Sequence, residues 1–474
     1  MSLSDALQAK LNERPLLYVS RDPERGLGLE LTLDNIHNIH VTDSYYREYF
    51  DKLGVEYFCF AEHSDPGSLT AETAARVFAS SEFTEYLNTK NITDAWVQTF
   101  KVSGRFEKAV TAKGFTLLNT SGELNRSFEE KLSQTHHFAA AGTDTPRMAV
   151  IMLSEHDYAT LAAGFGSAFV IQFNRGHSGN ATYFIDSSAA YDSLKQQFPS
   201  RSARISAFAE GLPYTLNACV TDAGTFCAGL SYQITGVEGL TDDPGATIGN
   251  DFSYRSGITD AVKESILANI ERLGAYMHSK GYRGLFGIDM IVGDRVNIIE
   301  INARQPASVS FHTRLQLMHG QVPLSMLHLA AFTGIDHGLS VSDYNRAGLE
   351  PLNYAQMMLR ADESFTAGSD IAMGIYRLLS DNSAIDRFNN EVVPGTVFLD
   401  EDQDKPMILQ HKTYAIEDTR EYPGVLILTP RKGTVIAEGN EAVRIQATQG
   451  LIGSDGKPAP WSIETLISFA RQLH

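Results

Sequence analysis

Asp289, Glu300, Asn302 and Arg304 are the residues in this chain whose types and spacing most directly suggest chemistry. They interrupt two apolar, β-rich runs, Gly284 to Val292 and Arg295 to Asn302, which flank the turn signal Gly293-Asp294. With a two-residue loop, residue 289 faces residue 298, and Glu300 becomes the diagonal neighbour of Asp289 on one face with Asn302 next along. Three oxygen donors then converge. Such a hard set suits Mg²⁺, which takes one or two carboxylates and completes its shell with water and phosphate oxygens. A three-residue loop would instead send Glu300 to the opposite face. On their own the two acids also read as strand-end carboxylates paired with Arg304 or Arg295.

A second group lies upstream. The β-like runs 168–172 and 181–185 flank Phe173-Asn174-Arg175-Gly176-His177-Ser178-Gly179-Asn180. Two glycines let the backbone turn several N–H groups toward one anion, with the Ser178 hydroxyl and the Arg175 charge beside them. An ordinary glycine turn is the equal alternative. Further on, 237–257 is rich in Gly and Asp and reads as a long loop. Its Arg255 has a planar fork that could anchor a substrate carboxylate or make a surface ion pair. His312 reads as a packed or capping histidine before a catalytic one.

The elements that must position these residues follow from periodicity. Over 1–125, the short apolar runs 16–19, 55–60, 94–97 and 115–118 alternate with helical patterns, which predicts a parallel α/β sheet. Gly26 and Gly28 after the first run lack the third glycine of a dinucleotide fingerprint, so they read as a turn. A helix is predicted from Ser127 to Gly142, and another over 260–280 with Val262, Ile266, Ile270, Leu273 and Met277 on one stripe. From about residue 338 short β-like runs predict a small β-rich C-terminal domain. The expected divisions are 1–125, 126–337 and 338–474.

Gly287-Ile288-Asp289 followed by Ile299-Glu300-Ile301-Asn302-Ala303-Arg304 resembles the metal signature of the ATP-grasp superfamily. The resemblance implies an ATP-grasp fold, α+β in the ATP-binding region, behind a Rossmann-like α/β domain. It implies that Asp289, Glu300 and Asn302 hold Mg²⁺, or Mn²⁺, on ATP and that Arg304 touches the transferred phosphate. It places Lys131 on ATP phosphate and the 173–180 hairpin over the phosphates. It places 204–217 around adenine, with Phe208 in that linker and Glu210 toward the ribose. Many members carry a lysine where Gln172 stands, so either Arg175 or His177 supplies that charge or phosphate affinity is lower. The residues after Asn302 lack the Val-Glu-His of biotin carboxylases and the Ser-Pro-Gly of D-alanine ligases. The implied activity is an ADP-forming ligase joining a small carboxylic acid or amino acid to an amine through an acyl phosphate.

Composition bounds the rest. The 474 residues are 43% hydrophobic and carry a formal charge of −18, which disfavours nucleic acid and anionic membranes as partners. The partners expected are small molecules, with a homodimer compatible. The three cysteines have no metal-ligand spacing, and no run of 18 apolar residues appears, so the expected location is cytoplasmic. Two rival functions remain: a nicotinamide oxidoreductase resting on Gly26 and Gly28, and a non-catalytic nucleotide-binding scaffold resting on the departures at Gln172, Ala207 and Pro213.

Overall fold

A computed structural model describes residues 2–44, 46–63, 74–177, 180–369, 371–379, 385–386, 391–392, 396–398 and 406–474, with the backbone alone at 175–177, 180–181, 385–386, 391–392 and 398. Its first sheet is parallel, built from β1 (Leu16–Ser20), β2 (Ile36–His40), β3 (Glu56–Cys59), β4 (Trp96–Thr99) and β5 (Thr116–Leu117) in the order β3-β2-β1-β4-β5. The sequence reading lacks β2, because Ile36-His-Asn-Ile-His40 carries polar residues in the middle of a strand that is buried throughout. Hydrogen bonding replaces exposure there: His37 meets Tyr86 at 2.8 Å and His40 meets Asn38 at 3.0 Å. Ligands of open α/β sheets sit outside the carboxyl ends where strand order reverses, here between β1 and β4. The loop after β4 reaches the candidate site.

Gly26 and Gly28 open no helix after β1; a short 3₁₀ turn, Pro23–Gly26, follows instead. A Cβ on Gly26 would lie 2.5 Å from the Tyr18 ring, and one on Gly28, whose φ is +113°, 2.5 Å from Thr313. These glycines allow close packing and do not cradle a pyrophosphate. That removes the feature on which the oxidoreductase alternative rested.

A small antiparallel sheet follows, β6 (Met148–Met152), β7 (Phe169–His177), β8 (Asn180–Ile185) and β9 (Ser202–Ala207), in the order β6-β9-β7-β8. Among the described residues the largest sheet has eleven strands. Its first five in space are β14 (Val296–Asn302), β13 (Gly284–Val292), β10 (Leu212–Thr221), β11 (Gly224–Thr235) and β12 (Thr247–Asp251). The sheet then continues through β15 (Ala355–Arg360), β24 (Glu441–Ala447), β22 (Val425–Leu428), β17 (Gly374–Leu378), β21 (Pro406–His411) and β20 (Thr396–Phe398). The remaining strands form two pairs: β16 (Phe365–Thr366) with β23 (Val435–Ile436), and β18 (Ile385–Asp386) with β19 (Glu391–Val392).

Residues 338–474 are therefore β-rich, but their strands extend the central sheet where β15 pairs with β12. Within the expected loop 237–257, the segment Thr247–Asp251 is that joining strand. The sequence reading also lacks Gly374–Leu378, Pro406–His411 and the last helix, Pro460–Arg471.

The two faces of the large sheet differ in chemistry. The predicted helix, observed at Asp260–Ser279, presses Ile266, Ile270, Leu273 and Met277 onto one face, where Tyr214, Ile288 and Met290 complete a dry core. The opposite face carries a continuous polar row. Register pairs Glu300 with Asp289, Asp289 with Thr215 and Thr215 with Ser231; two residues along β11, Gln233 pairs with Asn250, then Asn250 with Gln356 and Gln356 with Gln446. Side chains two apart on a strand share a face, so one polar track runs from the central strands into the C-terminal ones. Cys59, Cys219 and Cys227 are buried free thiols; Cys219 lies opposite Phe226, not Cys227.

Candidate active site

The hairpin of β13 and β14 has a three-residue loop, because Val292 pairs with Val296 and leaves Gly293, Asp294 and Arg295 to turn the chain. The two-residue loop of the sequence reading is thus corrected. Glu300 nevertheless shares the face of Asp289. A bulge at Ile299 inserts one residue between the Met290–Ile298 and Asp289–Glu300 pairs and undoes the flip the longer loop imposes. The two acids are direct partners instead of diagonal ones. Asn302 donates through Nδ2 to Asp289 Oδ2 at 3.0 Å, and Gln233 donates to Asp289 Oδ1 at 2.8 Å. Burial first, and then the charge of Glu300, push the Asp289 carboxyl up to about 6. Burial acts the same way on Glu300, but the Lys131 ammonium and the nearby Arg204 and Arg304 outweigh it and hold that carboxyl below its ordinary range. Two facing carboxylates with an amide beside them fit a hard divalent cation.

Cations surround the pair. Lys131 is the first residue of the helix Lys131–Ala141, which ends at the left-handed Gly142, and its Nζ pairs with Glu300. Arg304 pairs with Glu129, and Lys101, from the loop after β4, reaches the other Glu129 oxygen at 2.6 Å. Together they line a cavity of about 490 Å³ that also takes in Ser103, Arg126 and Asn174. Glu129 and Lys101 are absent from the sequence reading. Glu129 sits two residues before Lys131, but nothing local shows that it spans to Arg304 or to the first sheet.

Gln172 is explained by its neighbour across the sheet. Register pairs it with Arg204 of β9, whose Nε donates to Gln172 Oε1 at 3.1 Å, while Gln172 Nε2 donates to Thr182 at 3.0 Å. Arg204 is only 2% exposed. It also donates to Gln134 Oε1 at 3.1 Å and to the carbonyl of Ile299 at 2.9 Å. Gln134 in turn donates to the Ile301 carbonyl at 2.7 Å. The bulge that aligns Glu300 with Asp289 is therefore held on both sides by one buried polar network. Burial pushes the Arg204 guanidinium down to about 10, with Glu300 opposing. The cation beside Gln172 is thus Arg204, which the sequence reading did not single out. Alternation along β9 groups Arg204 with Ser202 and Ser206, opposite the apolar Ala203 and Ile205, so its burial against Gln134 and Ile299 is visible only in three dimensions.

The other anticipated residues divide. Phe208 and Glu210 lie in the connection between β9 and β10; Phe208 is half exposed, edge-on to Phe184 with ring centroids 6.4 Å apart, and Glu210 abuts Gly293 at the hairpin tip. Arg175, Gly176 and His177 are in β7 with only their backbone described, while Ser178 and Gly179 lie outside the described residues. The structure does not bring Arg255 to this cluster. Its Nη1 donates to the Tyr254 carbonyl at 2.8 Å and its Nη2 to the Glu350 carbonyl at 3.3 Å. Tyr254 and Tyr214 beside it belong to the dry core on the other face. His312 is packed, 1% exposed, stacked on Phe252 at 5.6 Å and lying over Gly229.

Residues 128–308 match the family model of the ATP-grasp domain. No curated protein matches the chain by sequence. Among solved structures, a carboxyaminoimidazole ribonucleotide synthase from Aspergillus clavatus complexed with ATP superposes with a TM-score of 0.52 at 12% identity, covering 98% of this chain and 100% of that one. The biotin carboxylase domain of a Hydrogenobacter thermophilus 2-oxoglutarate carboxylase, crystallised with MgADP, ADP and bicarbonate, gives 0.53 at 10% identity over 92% of this chain and 86% of that one. Rhizobium etli pyruvate carboxylase gives 0.55 at 12% identity over 96% of this chain and 37% of that one. At these identities the likeness is one of fold.

Proposed function

We propose that this ATP-grasp domain is the core of an ADP-forming ligase that joins a small carboxylic acid or amino acid to an amine, using ATP and Mg²⁺. The observation that carries the reading is the Asp289–Glu300 pair on one sheet face, with Lys131 and Arg304 around the same cavity. Asp289, Glu300 and Asn302 hold Mg²⁺, which when bound offsets charge on the ATP phosphates.

Lys131 and Arg304 each face a carboxylate, Glu300 and Glu129, and an incoming phosphate competes for both cations. In the first half-reaction a substrate carboxylate oxygen bonds to the γ-phosphorus, the bond to the β-phosphate bridging oxygen breaks, and ADP leaves. In the second the amine nitrogen bonds to the acyl carbon, phosphate leaves with the electron pair of the acyl C–O bond, and the nitrogen gives up a proton. Arg304 holds the anionic acyl phosphate between the halves, because its fork matches two phosphate oxygens. Arg204 and Gln134 keep the metal pair in register throughout.

Acids and amines offered in pairs, with ADP release and hydroxylamine trapping as readouts, test this directly. A hydroxamate formed with the correct acid alone, one ADP for each, is expected. AMP and pyrophosphate as products would overturn the mechanism, since they mark adenylation.

A further inference from the structure

A second charged cavity lies on the polar side of the molecule, between the first sheet and the C-terminal strands, with a volume of about 140 Å³. Asp22, Glu24 and Arg25 reach it from the loop after β1, and Arg360 and Glu441 from the ends of β15 and β24. Arg25 lines this cavity and leads from it toward Lys101 of the candidate site. Gln305 and Ser310 both donate to the Arg25 carbonyl at 2.8 Å, its Nη1 donates to the Ala307 carbonyl at 3.3 Å, and its guanidinium lies 4.8 Å over the Phe100 ring, next to Lys101. The polar row of the sheet ends beneath the same cavity, where Arg444 is paired with Glu441 and reaches Gln356 at 3.4 Å.

Its charges are only partly used within the chain. Arg444 and Glu441 satisfy each other through two contacts. Asp22 accepts from Thr42 at 3.2 Å. Among the described residues Glu24, Arg25 and Arg360 make no ion pair; Arg360 donates to the Gly439 carbonyl at 3.1 Å. Asp43, also in its lining, is paired with Arg47. A small space walled by two guanidinium groups and a carboxyl that have no ion-pair partner among the described residues repels a simple cation at one side and a simple anion at the other. A molecule bearing both charges satisfies both sides. A cavity of roughly 150 Å³ admits a molecule about the size of benzene, which is also the scale of a small amino acid.

We propose that this cavity binds one of the two ligase substrates, a small α-amino acid taken up as its zwitterion, with the ammonium toward Glu24 and Asp22 and the carboxylate toward Arg360 and Arg25. The proposal rests on the ligase reading for the role of the ligand, and on the cavity alone for its chemistry. Burial first, and then Asp22 and Glu441, push the Glu24 carboxyl up to about 8, with Arg444 and Arg25 opposing.

Binding is tested on the full-length protein by calorimetry and thermal shift, first with each of the twenty amino acids and then with alanine, N-acetylalanine and alanine amide. Saturable binding of at least one small free amino acid is expected, with both capped forms about 10-fold weaker or more, as loss of one charge-assisted contact implies. In Arg360→Gln the free acid and its amide should bind alike, and in Glu24→Gln the free amine and its N-acetyl form should bind alike; a merely structural role would lower all ligands together. Equal binding of capped and free forms, or no saturable binding by any amino acid with or without MgADP, overturns the proposal. Failure of the ligase reading shows separately, as absence of hydroxamate and ADP while amino-acid binding persists.

Discussion

Two cation–carboxylate pairs on this protein look alike on paper and differ in kind. Lys131 meets Glu300 through one ammonium, at side-chain exposures of 13% and 29%, beside an open cavity. Arg314, 5% exposed, grips Glu417 at 2.9 and 2.6 Å through two nitrogens, and its guanidinium lies 5.2 Å from the Tyr49 ring. In the proposed function the first pair joins a point charge to a metal ligand, so substrate phosphate and metal can take both partners. The second is a two-pronged clamp that ties the helix Val309–Met318 to the C-terminal region, and nothing small can replace either half. Similar charges thus make an exchangeable contact where a cavity adjoins them and a brace where packing closes over them.

Breaking the brace should have the largest effect. Arg314→Met leaves Glu417 without its partner and should cost about 3–5 kcal/mol of stability, the usual range for halving a buried pair. Chemical denaturation measures it, and a loss under about 1 kcal/mol would make the two pairs equivalent after all.

On the exchangeable side, Glu300→Gln should leave stability nearly intact but lower turnover by roughly 10²-fold or more, through loss of a metal ligand. Near-normal Mg²⁺-dependent turnover in that variant would remove the metal site from this hairpin.

Arg204→Lys probes what holds the exchangeable pair in place. A lysine keeps the charge but not the fork that bonds Gln172, Gln134 and the Ile299 carbonyl together. Half-saturation by Mg²⁺ should rise on the order of 10-fold as the bulge loosens; an unchanged metal titration would restrict Arg204 to packing.

The smallest effect concerns His312, two residues from the brace. Burial pushes its imidazole down to about 3, so the folded protein excludes a proton that the unfolded chain binds below about 6.5. Stability from this group is complete above pH 6.5 and is lost as pH falls toward 3. Replacing it in His312→Phe, against the stacked Phe252, should reduce the acid-side slope by up to about 1.4 kcal/mol per pH unit. Equal slopes in denaturation series at pH 4 to 6 would show that His312 is not kept neutral by the fold.

The sequence by itself determined what short-range pattern and residue type can carry. Alternation and a turn signal gave the hairpin bearing Asp289 and Glu300, and the 3.6-residue stripe gave the helix ended near Gly281. The donor types pointed to the divalent cation proposed for them. Only the tertiary structure decided the rest, because a strand's partners and a bulge are properties of neighbours distant in the chain. Glu300 faces Asp289 through a bulge at Ile299, fixed by Arg204 and Gln134 from about 95 and 165 residues away. Arg255 read as an anchor or an ion pair, and only the fold shows it bonded to the Tyr254 and Glu350 carbonyls, away from the Asp289–Glu300 cluster. The Ile36–His40 strand was hidden because its histidines and asparagine meet partners instead of water. The C-terminal strands read as a separate body, since no local signal records that β15 continues the sheet from β12 and carries its polar row to Arg25, Arg360 and Glu24.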